Sequence, residues 1–246
     1  VDDPQMRATR AGSFGANAAT YAEHRPDYPA EAVEWVIGDR TRVLDLGAGT
    51  GKLTERLLDL GVDVTAVEPD PQMRAELTRR LPDVPTMDGR AERIPLRDAS
   101  VDAVVAGQSF HWFNNPEALA EITRVLRPGG VFGALWIADD DRVPWVRTLV
   151  ELTASSVGDP ARRRERHVPE HDLLGDAEAK DFKHQQVRTV DSMVESLRTY
   201  SHIAVAPEAE RAEILARARE YLSGLPDSRG VFVRPLICEA IRAIRI

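Results

Sequence analysis

Cysteine is nearly absent from the chain, with Cys238 the single one among 246 residues. A lone cysteine excludes an internal disulfide and a thiolate-rich metal site, and it fits a reducing compartment. As a small apolar residue Cys238 belongs in a C-terminal strand or helix. Long apolar runs are missing too: nothing approaches the roughly 18 residues that would suggest a membrane-crossing helix, so a membrane role is not expected. The start, Val1-Asp2-Asp3-Pro4, lacks the basic, apolar and small-residue succession of a secretory signal, and the expected location is the cytoplasm. Basic residues are outnumbered, with 32 Lys and Arg against 40 Asp and Glu and a net charge of −8. That balance argues against a nucleic-acid partner, which needs clustered cations to displace counterions. The only dense basic run is Arg162-Arg163-Arg164-Glu165-Arg166, either a solvated helix face or a contact for an anionic substrate. Internal repeats and low-complexity segments are also lacking.

From residue 41 onward, short β-rich runs alternate with stretches of helical period, the pattern of a parallel sheet covered by helices and hence of an α/β fold. Strands are expected at Arg42–Leu46, Val62–Glu68, Val84–Met87, Val101–Gly107 and Val131–Ile137, each nearly continuous in apolar residues. Asp70 reads as an N-cap with Pro71 at the first helical position and Met73, Leu77 and Leu81 on one face. A second helix over Glu117–Leu126 aligns Leu119, Ile122 and Leu126, and Pro128-Gly129-Gly130 is expected to stop it and turn the chain into the next strand. Residues 1–38 do not alternate in this way. They carry a tyrosine- and proline-rich segment, Tyr21 to Pro29, then a helix through Val33, Val36 and Ile37, and read as an N-terminal helical cap of the same domain. Residues 39–246 form the core, with a lid or helical insertion at about 140–180.

The chemistry concentrates in Val43-Leu44-Asp45-Leu46-Gly47-Ala48-Gly49-Thr50-Gly51, a buried strand that ends in an acid and breaks into glycines before a helix. Glycines suit positive-φ turns and close approach of backbone to a ligand, and the helix start offers unpaired N–H groups. The spacing is G-x-G-x-G, with Lys52 after Gly51, and departs from the G-x-G-x-x-G of dinucleotide sites. S-adenosylmethionine has no phosphate and presents instead an ammonium, a carboxylate and a sulfonium; Asp45 suits the ammonium. Glu68, at the end of the second strand, stands where an acid accepts from both ribose hydroxyls of an adenosine ligand.

These residues resemble the class I S-adenosylmethionine-dependent methyltransferases, whose motif I is matched by Leu44 to Gly51 and whose ribose acid is matched by Glu68. The resemblance implies a Rossmann-like, doubly wound, mostly parallel seven-stranded sheet with helices on both faces. Asp88 to Leu96 is similar to the segment that lies along the adenine in that family, with Ala91 and Glu92 the positions carried over. Gln108-Ser109-Phe110-His111-Trp112-Phe113, followed by Arg124 to Gly130, resembles the small-molecule branch that includes trans-aconitate methyltransferase-like proteins. Tyr21-x-x-x-Arg25-Pro26-x-Tyr28-Pro29 is similar to that branch's cap over the methionine end of the cofactor, which implies Arg25 as the carboxylate partner. The cofactor set implied is Arg25, Asp45, Gly47, Ala48, Gly49, Gly51, Glu68, Pro69, Met73, Gly89, Ala91, Glu92 and Gln108, with no metal. Ile237–Ile246 departs from the polar, arginine-ended last strand of the family.

Displacement at a carbon already activated by a sulfonium asks mainly for in-line positioning and exclusion of water, so a base is optional. His111, after the fourth strand, is the candidate base for a hydroxyl or amine acceptor; the other reading is a ring that packs on adenine or bonds in the wall. Trp112 and Phe113 read as core, adenine-packing or acceptor-binding, and Tyr21, His24 and Tyr28 as acceptor pocket or structural cap. Gln108-Ser109-Phe110-His111 is not the Asn/Asp-Pro-Pro-aromatic segment of base-amine methylation, and Cys238 is too far along for a pyrimidine C5 nucleophile. The expected activity is O- or N-methylation of a small molecule. A non-catalytic cofactor-binding protein and, opposed by Lys52, an NAD-dependent oxidoreductase are the alternatives.

Overall fold

The computed structural model describes residues 18–157, 166–225, 227 and 230–246, apart from the side chains of residues 19–21. The start of the chain and Arg162, Arg163, Arg164 and Glu165 of the basic run lie outside the described residues. The strands are β1 (Arg42–Leu46), β2 (Asp63–Val67), β3 (Thr86–Met87), β4 (Val101–Gly107), β5 (Leu126–Asp139), β6 (Glu178–Arg188) and β7 (Phe232–Ile244). They form a seven-stranded sheet of order β3-β2-β1-β4-β5-β7-β6. The helices are α1 (Ala18–His24), α2 (Ala30–Ile37), α3 (Lys52–Asp59), α4 (Pro71–Arg80), α5 (Pro116–Val125), α6 (Pro144–Leu152), α7 (Val190–Arg198), α8 (Ser201–Ala204) and α9 (Glu208–Leu222). None of the described helices is long and apolar enough to cross a membrane. The chain divides into two compact units, one of residues 1–26, 138–165 and 183–237, the other of residues 27–137, 166–182 and 238–246.

The second unit contains the parallel strands. β1 is flanked by β2 and β4, with Val43 opposite Val64 on one side and Ala103 on the other, which is why its sequence is an unbroken apolar run around Asp45. β2 pairs β3 and β4 pairs β5, both parallel. At the far end, reciprocal bonds join Gly129 N–H to the Arg245 carbonyl and Arg245 N–H to the Gly130 carbonyl, so β7 runs antiparallel to β5. Helices cover both faces. Phe132 and Ala134 of β5 pack with Leu119 and Ile122 of α5, while a Cβ on Gly133, which points the opposite way, would collide with Val36 of α2.

Local signals account for the helices of this unit. Asp70 caps α4, its Oδ1 accepting from the N–H groups of Gln72 and Met73 at 2.9 Å each, with Pro71 in the first turn. Asn115 does the same for α5, accepting from Ala118 N–H at 2.9 Å. α5 ends at Val125, however, and β5 begins at once with Leu126, opposite Val101. Leu126 is therefore the first strand residue rather than the last of a helical stripe. Pro128-Gly129-Gly130 does not stop the helix: it lies within the start of β5, where the pairing with β4 shifts register between Val101 and Ala103. Gly129 takes φ +77 there, and a Cβ on Gly130 would lie 2.9 Å from the Asp102 carbonyl oxygen.

The first unit is built on α6, α7 and α9, which bury Leu149, Met193, Val194, Leu197, Ile214, Leu215 and Leu222 together with Phe232. Arg234 is 0% exposed in this unit. Its guanidinium pairs with both oxygens of Asp139, at 2.7 and 3.1 Å, and bonds Ser196 Oγ at 3.2 Å and the Tyr200 hydroxyl. Burial alone would favour a neutral Arg234, but Asp139 and Tyr200 more than offset it and raise its pKa.

Candidate functional site

β1 delivers Asp45 to the centre of the sheet with no exposure to solvent. The Thr54 hydroxyl, from the first turn of α3, donates to its Oδ2 at 2.6 Å, while Oδ1 meets no hydrogen-bond partner among the described residues. Burial pushes the carboxyl up to about 7, helped by the charge of Glu68 and opposed by the Thr54 bond. A buried carboxyl with one oxygen left without a described partner is a receptor for a cation such as an ammonium.

After Leu46 the chain enters positive φ at Gly47 (+70), Gly49 (+57) and Gly51 (+87), the last capping α3. The three glycines serve different purposes. A Cβ on Gly47 would lie 2.8 Å from Ser109 Cβ, so close packing on the end of β4 requires glycine there. At Gly49 a Cβ would meet nothing within 4 Å, and the requirement is one of backbone conformation alongside open space. Gly47 and Ala48 donate to the Val67 carbonyl at 2.8 and 3.1 Å, which ties the loop to β2. Thr50 is buried beside them, its Oγ1 without a described partner.

Glu68 follows β2 and is 7% exposed. Gly49 N–H donates to its Oε2 and Asp70 N–H to its Oε1, both at 2.8 Å, so the carboxylate is clamped between the glycine loop and the start of α4. Burial raises its pKa against the pull of these two amides. Each oxygen keeps a second lone pair, the capacity needed to accept from a pair of hydroxyls. Arg74 braces the turn, donating to the Glu68 carbonyl at 2.8 Å and the Pro69 carbonyl at 3.1 Å and pairing with Asp88 at 3.3 Å.

The structure brings Asp45, Gly47, Ala48, Gly49, Gly51 and Glu68 together as the sequence spacing suggests. Pro69 is exposed and Met73 buried on α4. Gly89 packs where a Cβ would lie 2.6 Å from Pro95 Cδ. Ala91 is in the core, whereas Glu92 is exposed and accepts from Asn115 Nδ2 at 2.9 Å. Gln108, at the end of β4, holds φ +55, strained for a residue with a side chain, and is fixed by its Nε2 donating to the Ile137 carbonyl at 2.6 Å. Tyr28 is buried, and its hydroxyl oxygen would be 2.5 Å from a Cβ on Gly107, so it lies directly over the end of β4.

Ser109 Oγ donates to the Leu46 carbonyl at 2.9 Å, which anchors the segment after β4 to the glycine loop. Two residues on, His111 Nδ1 accepts from Trp136 Nε1 at 3.3 Å, and its ring lies 4.6 Å from that of Trp112. Phe110 and Phe113 are core residues, 1% and 9% exposed. Arg25 belongs to the first unit, where it donates to the Thr199 carbonyl at 2.9 Å and stacks 4.9 Å from the centre of the Tyr200 ring. His24, in the same unit, accepts at its carbonyl from Arg188 at 2.9 Å. The side chain of Tyr21 lies outside the described residues. Sequence reasoning did not single out Thr54, Ser109 or Trp136. The first two are ordinary small polar residues whose partners are 9 and 63 positions away, and Trp136 reads as one more apolar residue of a buried strand.

Comparison with known proteins gives this geometry its context. The family described as Methyltransferase domain matches residues 44–134, from β1 through most of β5. An uncharacterized methyltransferase of Mycobacterium tuberculosis is 39% identical over 235 residues, 94% of this chain and 95% of its own. One from Schizosaccharomyces pombe is 33% identical over 222 residues, 87% of this chain and 88% of its own. A solved structure from Anaeromyxobacter dehalogenans, bearing the name type II methyltransferase, superposes with a TM-score of 0.63 at 27% identity, covering 90% of this chain and 96% of that one. With similarity along nearly its whole length and the glycine loop inside the matched segment, the chain belongs to the class I S-adenosylmethionine-dependent methyltransferases.

Proposed function

We propose that the chain methylates an oxygen or nitrogen of a small-molecule acceptor, with S-adenosylmethionine seated at the Asp45–Gly51 loop. The observation that carries this reading is the Gly49–Glu68 clamp: one backbone amide joins the glycine loop to the ribose acid, while Asp45 Oδ1 and Thr50 Oγ1 stay buried without described partners beside it. The residues present fit the cofactor. Asp45 receives the ammonium, Glu68 the ribose hydroxyls, and the open space over Gly49 admits a ligand against backbone. Pro69, Met73, Gly89, Ala91 and Glu92 flank the adenine, with Gln108 at the rim.

When bound, S-adenosylmethionine would supply an activated methyl group, passing from its sulfonium sulfur to a lone pair of the acceptor with S-adenosylhomocysteine as the leaving group. The protein's task is to hold the acceptor in line and keep water out. Tyr28, His111 and Trp112, around the end of β4, are the residues proposed to do so. The acidic balance of the chain favours a small acceptor over a nucleic acid.

Isothermal titration with S-adenosylhomocysteine tests the reading. Wild-type protein binds, Asp45→Asn and Glu68→Gln each weaken binding by about 10–100-fold, the worth of one charge-assisted hydrogen bond, and NAD gives no heat. Absence of binding by the wild type overturns the proposal, and unchanged affinity in both variants overturns the assigned residues.

A further inference from the structure

We propose that Thr54 is a positioning residue of the cofactor site: its hydroxyl holds one oxygen of Asp45 so that the other is offered to the ligand's ammonium, and it thereby sets the affinity for adenosine ligands that carry an amino-acid end. The inference rests on the methyltransferase reading of the same site and names the residue through which the acid recognises the ammonium.

A threonine on the buried face of a helix must find an acceptor for its hydroxyl. Thr54 shares that face of α3 with Leu53 and Leu57 and has no exposure to solvent. The usual local acceptor, the carbonyl four residues back, belongs to Thr50 and receives the Arg80 guanidinium at 2.8 Å. The Thr54 proton goes instead to Asp45 Oδ2 at 2.6 Å, within the range of hydroxyl–carboxylate bonds.

The backbone of Asp45 has no room to turn, because it lies in register with Ala66 of β2 on one side and Val105 of β4 on the other. Side-chain rotation is the only freedom left to the carboxyl, and the Thr54 bond takes it up. Oδ1, which meets no partner among the described residues, is left as the oxygen for a ligand. The same bond acts on charge. Burial is the main force raising the Asp45 carboxyl, the Thr54 hydroxyl is the largest pull against it, and the charge of Glu68 adds to the rise. Without that hydroxyl, burial and Glu68 favour a neutral acid, which attracts an ammonium far less. An ammonium supplies Oδ1 with the partner it lacks, whereas an adenosine compound without one draws nothing from the pair.

A double-mutant cycle on the full chain, read by isothermal titration with S-adenosylhomocysteine, tests this. Thr54→Val keeps the shape and removes the hydroxyl; it is expected to weaken binding by about tenfold, while Thr54→Ser, which keeps the hydroxyl, stays within about threefold of wild type. In an Asp45→Asn background Thr54→Val causes no further loss, since no carboxylate remains to be held. Methylthioadenosine, which has the adenosine and the thioether but no amino-acid end, is the second ligand and reports that the variant is folded: wild type and Thr54→Val bind it equally. Equal losses for the two ligands, a loss in Thr54→Ser as large as in Thr54→Val, or additive losses in the cycle each reveal a merely structural threonine and overturn the proposal. The serine arm stands by itself where the valine variant fails to fold. Undiminished S-adenosylhomocysteine binding by Thr54→Val overturns the role of Thr54 alone; a wild type that binds neither ligand overturns the cofactor reading and this inference with it.

Discussion

Asp45 sets burial against charge, and the conflict has a sign that can be worked out. Its carboxyl is raised from 3.8 to about 7 in the folded chain. Between those values the folded state holds more protons than the unfolded one, so stability falls as pH rises through this window and stays reduced above it. Asparagine in its place stays neutral throughout and still accepts from Thr54. Without cofactor, Asp45→Asn is expected to be more stable than wild type at pH 8 by about 1–3 kcal/mol, with the gap closing toward pH 4–5. Denaturant titrations at the two ends of the range check this, and a pH-independent gap refutes it. The variant that gains stability is the one expected to lose cofactor affinity, so the acid is kept at a cost to the fold. Both Asp45 and Glu68 were legible because an acid interrupts or ends an apolar strand, a breach of pattern visible in one dimension. Trp136 was not, because nothing in a tryptophan on a buried strand tells which imidazole its N–H will find 25 positions away.

At the scale of elements, the turn from β2 into α4 is the join on which Glu68 depends. Asp70 caps the helix with its side chain and holds Glu68 with its N–H. Asp70→Ala removes the cap and is expected to cost about 1 kcal/mol of stability, measurable as a lowered denaturation midpoint, while the backbone bond to Glu68 remains. A shift below a few tenths of a kcal/mol shows that the cap is not needed. This helix was legible down to its capping residue, as were β1 and β4 to their boundaries, because capping chemistry and buried parallel strands leave local marks. β6 left none. Its sequence Glu178-Ala179-Lys180-Asp181-Phe182-Lys183-His184-Gln185-Gln186-Val187-Arg188 buries Phe182 alone, as an edge strand guarded by charges can. The misplaced start of β5 has a similar origin: Pro128-Gly129-Gly130 is a turn signal in isolation, and only pairing with β4 reveals it as a bulged strand.

For the whole molecule, the alternation of periods was enough to fix an α/β sheet, since it comes from burial of strands on both faces. The division into two compact units was not readable, because each unit gathers segments far apart in sequence and is defined by packing such as Arg234 on Asp139, across 95 positions. Nor does the acceptor follow from the fold, which hosts many chemistries on one scaffold. Cys238 of β7, the one cysteine in the chain, offers a way to time the opening of this scaffold. It has no exposure to solvent, and burial pushes its thiol up to about 12. Since alkylation needs an accessible thiolate, iodoacetamide is expected to ignore the native chain and mark only molecules whose strand has come apart. S-adenosylhomocysteine should then slow the marking in proportion to its occupancy, and marking at the rate of a small free thiol would refute the expectation. The sparsest residue type in the sequence becomes a built-in clock for unfolding, with no engineered label required.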